Sequence, residues 1–98
     1  MINVSSGVSI LSEMESYAPA YSISKTALNA VTRQFAAAGK GKGIAVNSVT
    51  PGWVRTDMGG ASAPGSVEEG ADSIVWLATE APQRVTGKFI QERKVIEW

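Results

Sequence analysis

Tyr21 and Lys25 are the residues whose types and spacing point most directly to acid–base chemistry. They are four positions apart, so a helix would place both side chains on one face. A free tyrosine has a pKa of about 10, but a lysine ammonium within a few ångströms favours the phenolate and makes the hydroxyl a usable acid or base. Alone the pair is a weak indication, because a tyrosine and a lysine also share a helix face by chance.

Ser6 is a second candidate. It follows Ile2–Val4, a short apolar segment that predicts a strand. A hydroxyl at the carboxyl end of a parallel strand faces the crevice where α/β sheets bind ligands, and there it could hydrogen-bond a carbonyl oxygen. The alternative is a serine pair that simply ends a strand, and without the other candidates that alternative is the better interpretation.

A third group, Pro51-Gly52-Trp53-Val54-Arg55-Thr56, follows an apolar strand predicted over residues 44–49. Gly52 would let the backbone approach a ligand closely, Val54 offers a backbone amide and Thr56 offers a hydroxyl. Seen alone, the segment is an ordinary Pro-Gly turn. All three groups lie at the carboxyl ends of predicted strands or at the start of the next helix, so together they indicate one pocket.

Two helices are predicted between these strands. The first runs from Pro19 to Ala38 and ends at a glycine-rich run. Its apolar residues recur at steps of four, namely Ile23, Ala27, Val31 and Phe35. The second begins at the capping box Ser66-Val67-Glu68-Glu69 and ends near Thr79.

A last strand is predicted over residues 88–91, so the order is strand, helix, strand, helix, strand. That alternation favours a parallel sheet with crossover helices. Three strands are few for a sheet that needs both faces covered, which indicates part of a larger domain.

Composition excludes several classes of protein. Among the 98 residues, nine basic side chains balance nine acidic ones, so no surplus of positive charge favours nucleic acid or a membrane surface. Cysteine and histidine are absent, which excludes a disulfide, a thiolate nucleophile and a Ser-His-Asp triad, and leaves no usual zinc ligand. No apolar run approaches the roughly 20 residues of a spanning helix, and no leader is recognisable, so we expect a cytoplasmic protein without a metal.

The motifs together resemble a known family. Asn3-Val4-Ser5-Ser6, Tyr21-Ser22-Ile23-Ser24-Lys25, Val46-Asn47-Ser48-Val49-Thr50-Pro51-Gly52 and Thr56 have the order and spacing of the short-chain dehydrogenase/reductase superfamily. The segments from Pro51 to Met58, from Ser66 to Ala71 and from Gly87 to Trp98 are most similar to its carbonyl reductases. The resemblance covers essentially the whole chain but only the second half of the family's usual domain.

The fold that this resemblance implies is α/β, a partial Rossmann-like doubly wound parallel sheet with about three strands and two main helices. Residues 1–98 would be the C-terminal catalytic half, and the dinucleotide-binding half would be missing. The family's glycine-rich phosphate turn is not found, and the run from Gly39 to Gly43 cannot replace it because it follows a helix and opens a strand. We therefore expect these residues alone to associate or aggregate and not to reduce carbonyl compounds.

The activity implied by the resemblance is NAD(P)-dependent carbonyl reduction or alcohol oxidation, with NADP favoured. Tyr21 would transfer the proton, Lys25 would favour its phenolate and hydrogen-bond the nicotinamide ribose, and Ser6 would polarise the substrate oxygen. The residues implied to hold the nicotinamide end, besides Tyr21 and Lys25, are Pro51, Gly52, Val54 and Thr56. Trp53 would either form a wall of the substrate pocket or pack elsewhere.

An alternative function is a non-catalytic interaction module. The first predicted helix contains three alanines, Ala20, Ala27 and Ala30. Small side chains of this kind let a partner helix pack closely, here along the part from Tyr21 to Ala38. Helices at this position form dimer interfaces in the family, so a homo-oligomer through this helix is a further expectation. Under this alternative the Tyr21–Lys25 pair would have no catalytic role.

Overall fold

The fold is a small four-stranded sheet with two helices. The computed structural model describes residues 1–98. The strands are β1 (Ile2–Val4), β2 (Asn47–Val49), β3 (Phe89–Gln91) and β4 (Lys94–Ile96), and the helices are α1 (Pro19–Ala38) and α2 (Val67–Thr79). Two short 3₁₀ turns, Gly7–Ser9 and Leu11–Glu13, connect β1 to α1.

The first three strands form the parallel sheet that the sequence predicts. The strand order is β1-β2-β3-β4, with β1, β2 and β3 parallel and β4 antiparallel to β3. The centre of the core lies on β2 and β3, where Val49, Phe89 and Ile90 are almost fully inaccessible. The carboxyl ends of the three parallel strands therefore meet at one edge, which is where the candidate residues were expected.

The strand predicted over residues 44–49 is shorter than expected and begins at Asn47. Val46 is buried, but its N–H donates to the Thr86 hydroxyl at 3.0 Å and not to a neighbouring strand. Val46 is therefore buried beyond the end of the paired strand, whereas Ile44 is exposed.

Strand β4 extends the predicted count of about three strands to four. It pairs with β3 through a two-residue turn, Glu92 and Arg93, whose φ angles are 50° and 62°. Two positive φ angles are the geometry that a tight hairpin needs, and the usual sequence signal for it is Asn-Gly or Asp-Gly. Neither turn residue here is of that type, so the sequence gives no hairpin signal.

Helix α1 has the predicted bounds, but the residues at steps of four do not face the sheet. Its buried positions are Ser22, Asn29, Thr32 and Ala36, whereas Ile23 is 64 % and Phe35 51 % exposed. Among these buried side chains, Thr32 hydrogen-bonds to residues on the strands, whereas Asn29 donates to the Ser9 hydroxyl in the first 3₁₀ turn. The larger apolar side chains form an exposed stripe, which we call the outer stripe of α1 and define as Ile23, Ala27, Val31 and Phe35.

Helix α2 begins as predicted. The Ser66 hydroxyl accepts from the Glu69 N–H and the Glu69 carboxylate accepts from the Ser66 N–H, both at 3.1 Å, which is the reciprocal capping box. Gly70 in its first turns is buried against Val54 and Pro51 of the loop that follows β2. The helix start therefore fixes the position of that loop.

Candidate active site

Tyr21 and Lys25 lie on the same side of α1, as the spacing predicts. The Lys25 ammonium is 5.8 Å from the centre of the Tyr21 ring and donates to the Val4 carbonyl oxygen at 3.1 Å. Val4 is the last residue of β1, so Lys25 joins the first turns of α1 to the carboxyl end of that strand. Tyr21 remains 37 % exposed, which leaves its ring accessible to a substrate.

Ser6 follows this strand end directly. Its backbone is extended and its hydroxyl oxygen accepts from the Val8 N–H at 3.4 Å, which starts the first 3₁₀ turn. A hydroxyl has one proton and two lone pairs, so Ser6 Oγ keeps its proton for another acceptor. Ser5, the other serine of the pair, is buried, and its hydroxyl donates to the Lys25 carbonyl at 3.4 Å.

The turn after β2 presents its backbone at the same sheet edge. Gly52 has a φ of 76°, in the left-handed region that glycine adopts at little cost, and its N–H donates to the Thr50 hydroxyl at 3.2 Å. Trp53 is 61 % exposed, and its indole N–H donates to the Gly59 carbonyl at 2.8 Å. Trp53 is therefore not packed in the core; its ring lies against its own loop at the surface, which leaves both the pocket-wall prediction and surface packing open.

Val54 and Thr56 are held by their own loop. Val54 forms an isolated parallel bridge with Gly65, and its own N–H makes no hydrogen bond. The Thr56 hydroxyl accepts from the Gly59 N–H at 3.0 Å. The backbone amide expected to bind a ligand is thus free, whereas the hydroxyl is used inside the loop as an acceptor and keeps its proton.

A cleft of about 680 Å³ lies beside this turn. Pro51, Gly52 and Trp53 line it together with residues from the start of α2 and the β3–β4 turn. None of Ser6, Tyr21 and Lys25 is among its lining residues. The three residues predicted to be catalytic therefore lie outside this cleft, on the open surface around Tyr21.

Two of the carboxylates at the rim of the cleft, those of Glu69 and Asp72, have hydrogen-bond partners. The Ser66 backbone N–H lowers the pKa of the Glu69 carboxyl, and the Ser66 side chain adds to the effect. Arg93 donates to both carboxylate oxygens of Asp72 at 2.8 Å, which lowers the pKa of Asp72 and raises that of Arg93. Glu69 and Asp72 therefore have structural partners and are not unpaired carboxylates that could bind a cation.

The contact between Arg93 and α2 was not predicted from the sequence. Besides the Asp72 carboxylate, the Arg93 backbone N–H donates to the Ser73 hydroxyl at 2.8 Å. These bonds fasten the β3–β4 turn to α2, next to Gln91, whose side-chain nitrogen lies 3.4 Å from where a Cβ of Gly52 would be. No local signal could have indicated the contact, because the partners meet only once the hairpin has formed.

Similarity to characterised families agrees with this geometry. The family model described as Enoyl-(Acyl carrier protein) reductase matches residues 1–67, more than half of the chain and all of the segments that contain Ser6, Tyr21, Lys25 and Thr56. The chain belongs to the short-chain dehydrogenase/reductase family. The name of that family model refers to enoyl reduction, whereas the individual relatives are carbonyl reductases.

Two curated relatives are Carbonyl reductase [NADPH] 1 of Sus scrofa and of Homo sapiens. The first is 39 % identical over 87 residues and the second 38 % identical over 85 residues. The matches cover 80 % and 81 % of this chain but only 29 % and 31 % of the relatives. The chain therefore spans about a third of their length.

Solved structures show the same likeness in three dimensions. The carbonyl reductase Sniffer of D. melanogaster aligns with a TM-score of 0.86 and 33 % identity, over 99 % of this chain and 40 % of that one. An NADPH-bound carbonyl reductase from chicken fatty liver aligns with a TM-score of 0.85 and 30 % identity, over 99 % of this chain and 42 % of that one. These relatives place the chain in the carbonyl reductase branch. Neither α1 nor α2 is long and apolar enough to cross a membrane.

Proposed function

We propose that this chain is the catalytic part of an NAD(P)-dependent carbonyl reductase, in which Tyr21 is the general acid and base. The observation that carries the proposal is the placement of Tyr21 and Lys25 on one side of α1, with Lys25 held at the carboxyl end of β1 beside Ser6. An exposed phenol on the same side of a helix as a fixed ammonium is an arrangement suited to proton transfer.

Each side chain has a distinct role in this proposal. The Tyr21 hydroxyl donates its proton to the carbonyl oxygen during reduction and takes it back during alcohol oxidation. The Ser6 hydroxyl donates a hydrogen bond to the same oxygen, because its proton is not used in the turn that it begins. The Lys25 ammonium places a positive charge on the side of α1 where the Tyr21 oxygen gives up its proton. Trp53 forms an exposed wall beside the turn, where its ring can contact an apolar substrate.

The residues present fit the nicotinamide end of a cofactor. An ammonium has three N–H donors, and only one of those on Lys25 is used, on Val4, so the others can reach a ribose hydroxyl. The Val54 N–H makes no hydrogen bond, and the Thr56 hydroxyl proton is available for donation because its oxygen only accepts within the loop. Pro51 and Gly52 place backbone atoms at the edge of the sheet. A bound nicotinamide would supply the hydride in this chemistry. We favour NADP because the relatives are named or described as NADPH enzymes.

The pyrophosphate end of the cofactor needs residues beyond those described. We propose that residues 1–98 correspond to the C-terminal catalytic half of the family domain, as the motifs predict. The free edge of β1 supports this, because β1 pairs only with β2 and could accept a parallel strand on its other side. The cytoplasmic location predicted from the sequence stays a prediction.

A second candidate function is an interaction module, and the outer stripe of α1 favours it. Val31 and Phe35 are 42 % and 51 % exposed on a helix whose sheet side is polar. Apolar side chains in such a row are the usual contact surface between packed helices. We propose that a second copy of the chain packs on this stripe between Tyr21 and Ala38, and this is compatible with catalysis at the other side of the helix.

The catalytic proposal is tested by substituting one hydroxyl. The chain is expressed together with the N-terminal part of the Sus scrofa carbonyl reductase, and NADPH-dependent reduction of an aromatic aldehyde is measured. Tyr21→Phe is expected to lower kcat by about 10²–10⁴-fold, the usual contribution of a positioned general acid. Tyr17→Phe is the matched control, because Tyr17 is an exposed tyrosine outside α1.

The two variants separate a chemical role from a structural one. If Tyr21→Phe and Tyr17→Phe retain the same turnover as the unmodified pair, Tyr21 does not transfer the proton and the proposal fails. If only Tyr21→Phe is inactive while circular dichroism shows an intact fold, the proton-transfer role is supported.

A further inference from the structure

No large apolar side chain of helix α1 is fully buried, so its hydrogen bonds to the sheet contribute strongly to its position. Its buried residues are Ser22, Asn29, Thr32 and Ala36, and none has a large apolar side chain. Apolar contacts tolerate sliding and rotation, because the hydrophobic effect has no direction. Hydrogen bonds need defined distances and angles. The position of α1 on the sheet therefore depends on its few polar contacts.

Thr32 makes the most complete set of these contacts. Its hydroxyl donates to the Leu28 carbonyl within α1 at 3.1 Å. With its proton used there, it accepts from the Asn3 amide at 2.9 Å and from the Ser48 hydroxyl at 2.7 Å. One donor and two lone pairs are the full capacity of a hydroxyl, so the Thr32 oxygen is saturated. Thr32 and Ser48 are both fully inaccessible to solvent.

The two partners of Thr32 belong to adjacent strands. Asn3 on β1 and Ser48 on β2 are direct partners in the register of the parallel pair. Thr32 therefore binds both strands at one level of the sheet, and a single oxygen fixes α1 across the strands as well as along them. Moving the helix by one residue would shift it about 1.5 Å and rotate it by about 100°, which would break both bonds.

Lys25 lies about two helical turns before Thr32 on the same side of α1, so the attachment at Thr32 contributes to its placement, together with the 3.4 Å contact from the Ser5 hydroxyl to the Lys25 carbonyl. We propose that Thr32 is a positioning residue, whose hydroxyl fixes the rotation and axial position of α1 and so holds Lys25 at the Val4 carbonyl. Thr32 does not contact substrate or cofactor. The importance of this placement for catalysis rests on the proposed function, but the placement itself can be tested without any activity.

The test measures the reactivity of each lysine in the 98-residue chain. Limited acetylation followed by mass spectrometry gives the labelling rate of Lys25 relative to that of Lys88, which is exposed. Thr32→Val removes the hydroxyl with little change of shape, and Thr32→Ser keeps it. In Thr32→Val we expect the Lys25 to Lys88 ratio to rise about fivefold, the factor equivalent to one ordinary hydrogen bond, while Thr32→Ser retains the original ratio.

Thr79→Val is the matched control for the loss of a threonine hydroxyl from a helix. Its hydroxyl donates to the Val75 carbonyl within α2 and to nothing on the sheet, so the Lys25 ratio should not change. An unchanged ratio in Thr32→Val, or the same rise in Thr32→Ser as in Thr32→Val, would overturn the proposal.

Thr32→Val could also unfold the chain, in which case all lysines become reactive together. Ser48→Ala then decides, because it removes one bond from the strand side and leaves the Asn3 bond in place. A higher Lys25 ratio in Ser48→Ala supports the positioning role, and an unchanged ratio refutes it. Failure of the catalytic proposal would appear only in the turnover of Tyr21→Phe, so the two failures are distinguishable.

Discussion

Alanine in place of Gly70 would put a methyl carbon 2.5 Å from Val54 Cγ1, with Pro51 Cβ and Val54 Cγ2 each at 3.4 Å. The first distance is far below van der Waals contact, so the Val54 side chain or the loop that carries it must move. Gly70 is buried and lies in the first turns of α2, and the contact is therefore with packed atoms and not with solvent. We expect Gly70→Ala to destabilise the chain.

The magnitude follows from two opposing effects. Alanine is favoured over glycine inside a helix by about 1 kcal/mol. Overpacking a buried position costs about 1–3 kcal/mol. The free energy of unfolding should therefore fall by up to about 2 kcal/mol, and each kcal/mol corresponds to about 4–8 °C in Tm for a domain of this size. A solvent-exposed glycine in the same helix would show the opposite sign.

The assay is urea unfolding followed by circular dichroism, with Val54→Ala as the second arm of a cycle. Val54→Ala removes both of its γ carbons, so Gly70→Ala in that background should stabilise the chain by about 1 kcal/mol. The two substitutions should thus be coupled by about 1–3 kcal/mol. If Gly70→Ala raises the midpoint when Val54 is present, or has the same effect in both backgrounds, α2 and the loop are not in close contact and the argument is refuted.

Three further results are expected. Ser66→Ala removes the cap of α2 and should lower the free energy of unfolding by about 1 kcal/mol, whereas Ser66→Asp should retain most of the stabilisation from the cap. Equal losses of stability for the two variants in urea unfolding would contradict this. The pKa of Asp72 is lowered by Arg93, so this contact stabilises the fold above the usual aspartate pKa, and the stabilisation is lost as the pH falls through the lower folded-state pKa. Asp72→Asn should remove that part of the acid dependence, and an unchanged pH profile of Tm would argue against it. Phe35→Glu should shift sedimentation towards the monomer, and an unaltered sedimentation coefficient would show that the outer stripe of α1 is not a contact surface.

Both helices could be predicted from the sequence because their ends carry local signals. Pro19 at the start of α1, Gly39 at its end and the capping box at Ser66 act within a few residues of the positions that they determine. Strand β4 gave no such signal, because Glu92 and Arg93 adopt left-handed φ angles that the residue types do not favour. Their cost is offset by contacts between the turn and α2, which only the folded chain contains.

Part of the candidate site could also be predicted from the sequence, and part could not. The spacing of Tyr21 and Lys25 predicts their shared side, and the structure confirms it. The acceptor for Lys25 could not be predicted, because it is the backbone carbonyl oxygen of Val4. Every residue type has this carbonyl, so the sequence does not indicate which one is used. Which residues of α1 face the sheet could not be predicted either. Periodicity identifies the apolar residues of a helix but does not show whether they face the sheet or another helix.

The turn between β3 and β4 also bears on how the chain folds. It is the most local pairing in the sheet, whereas the pairing of Ile2 with Asn47 closes a long loop that contains all of α1. Hairpins form in microseconds, while distant parallel pairing is slow because loop-closure entropy must be overcome first. We expect the β3–β4 hairpin to form before the two parallel pairings, so that the Val4 carbonyl meets Lys25 only after a slow, distant pairing has formed.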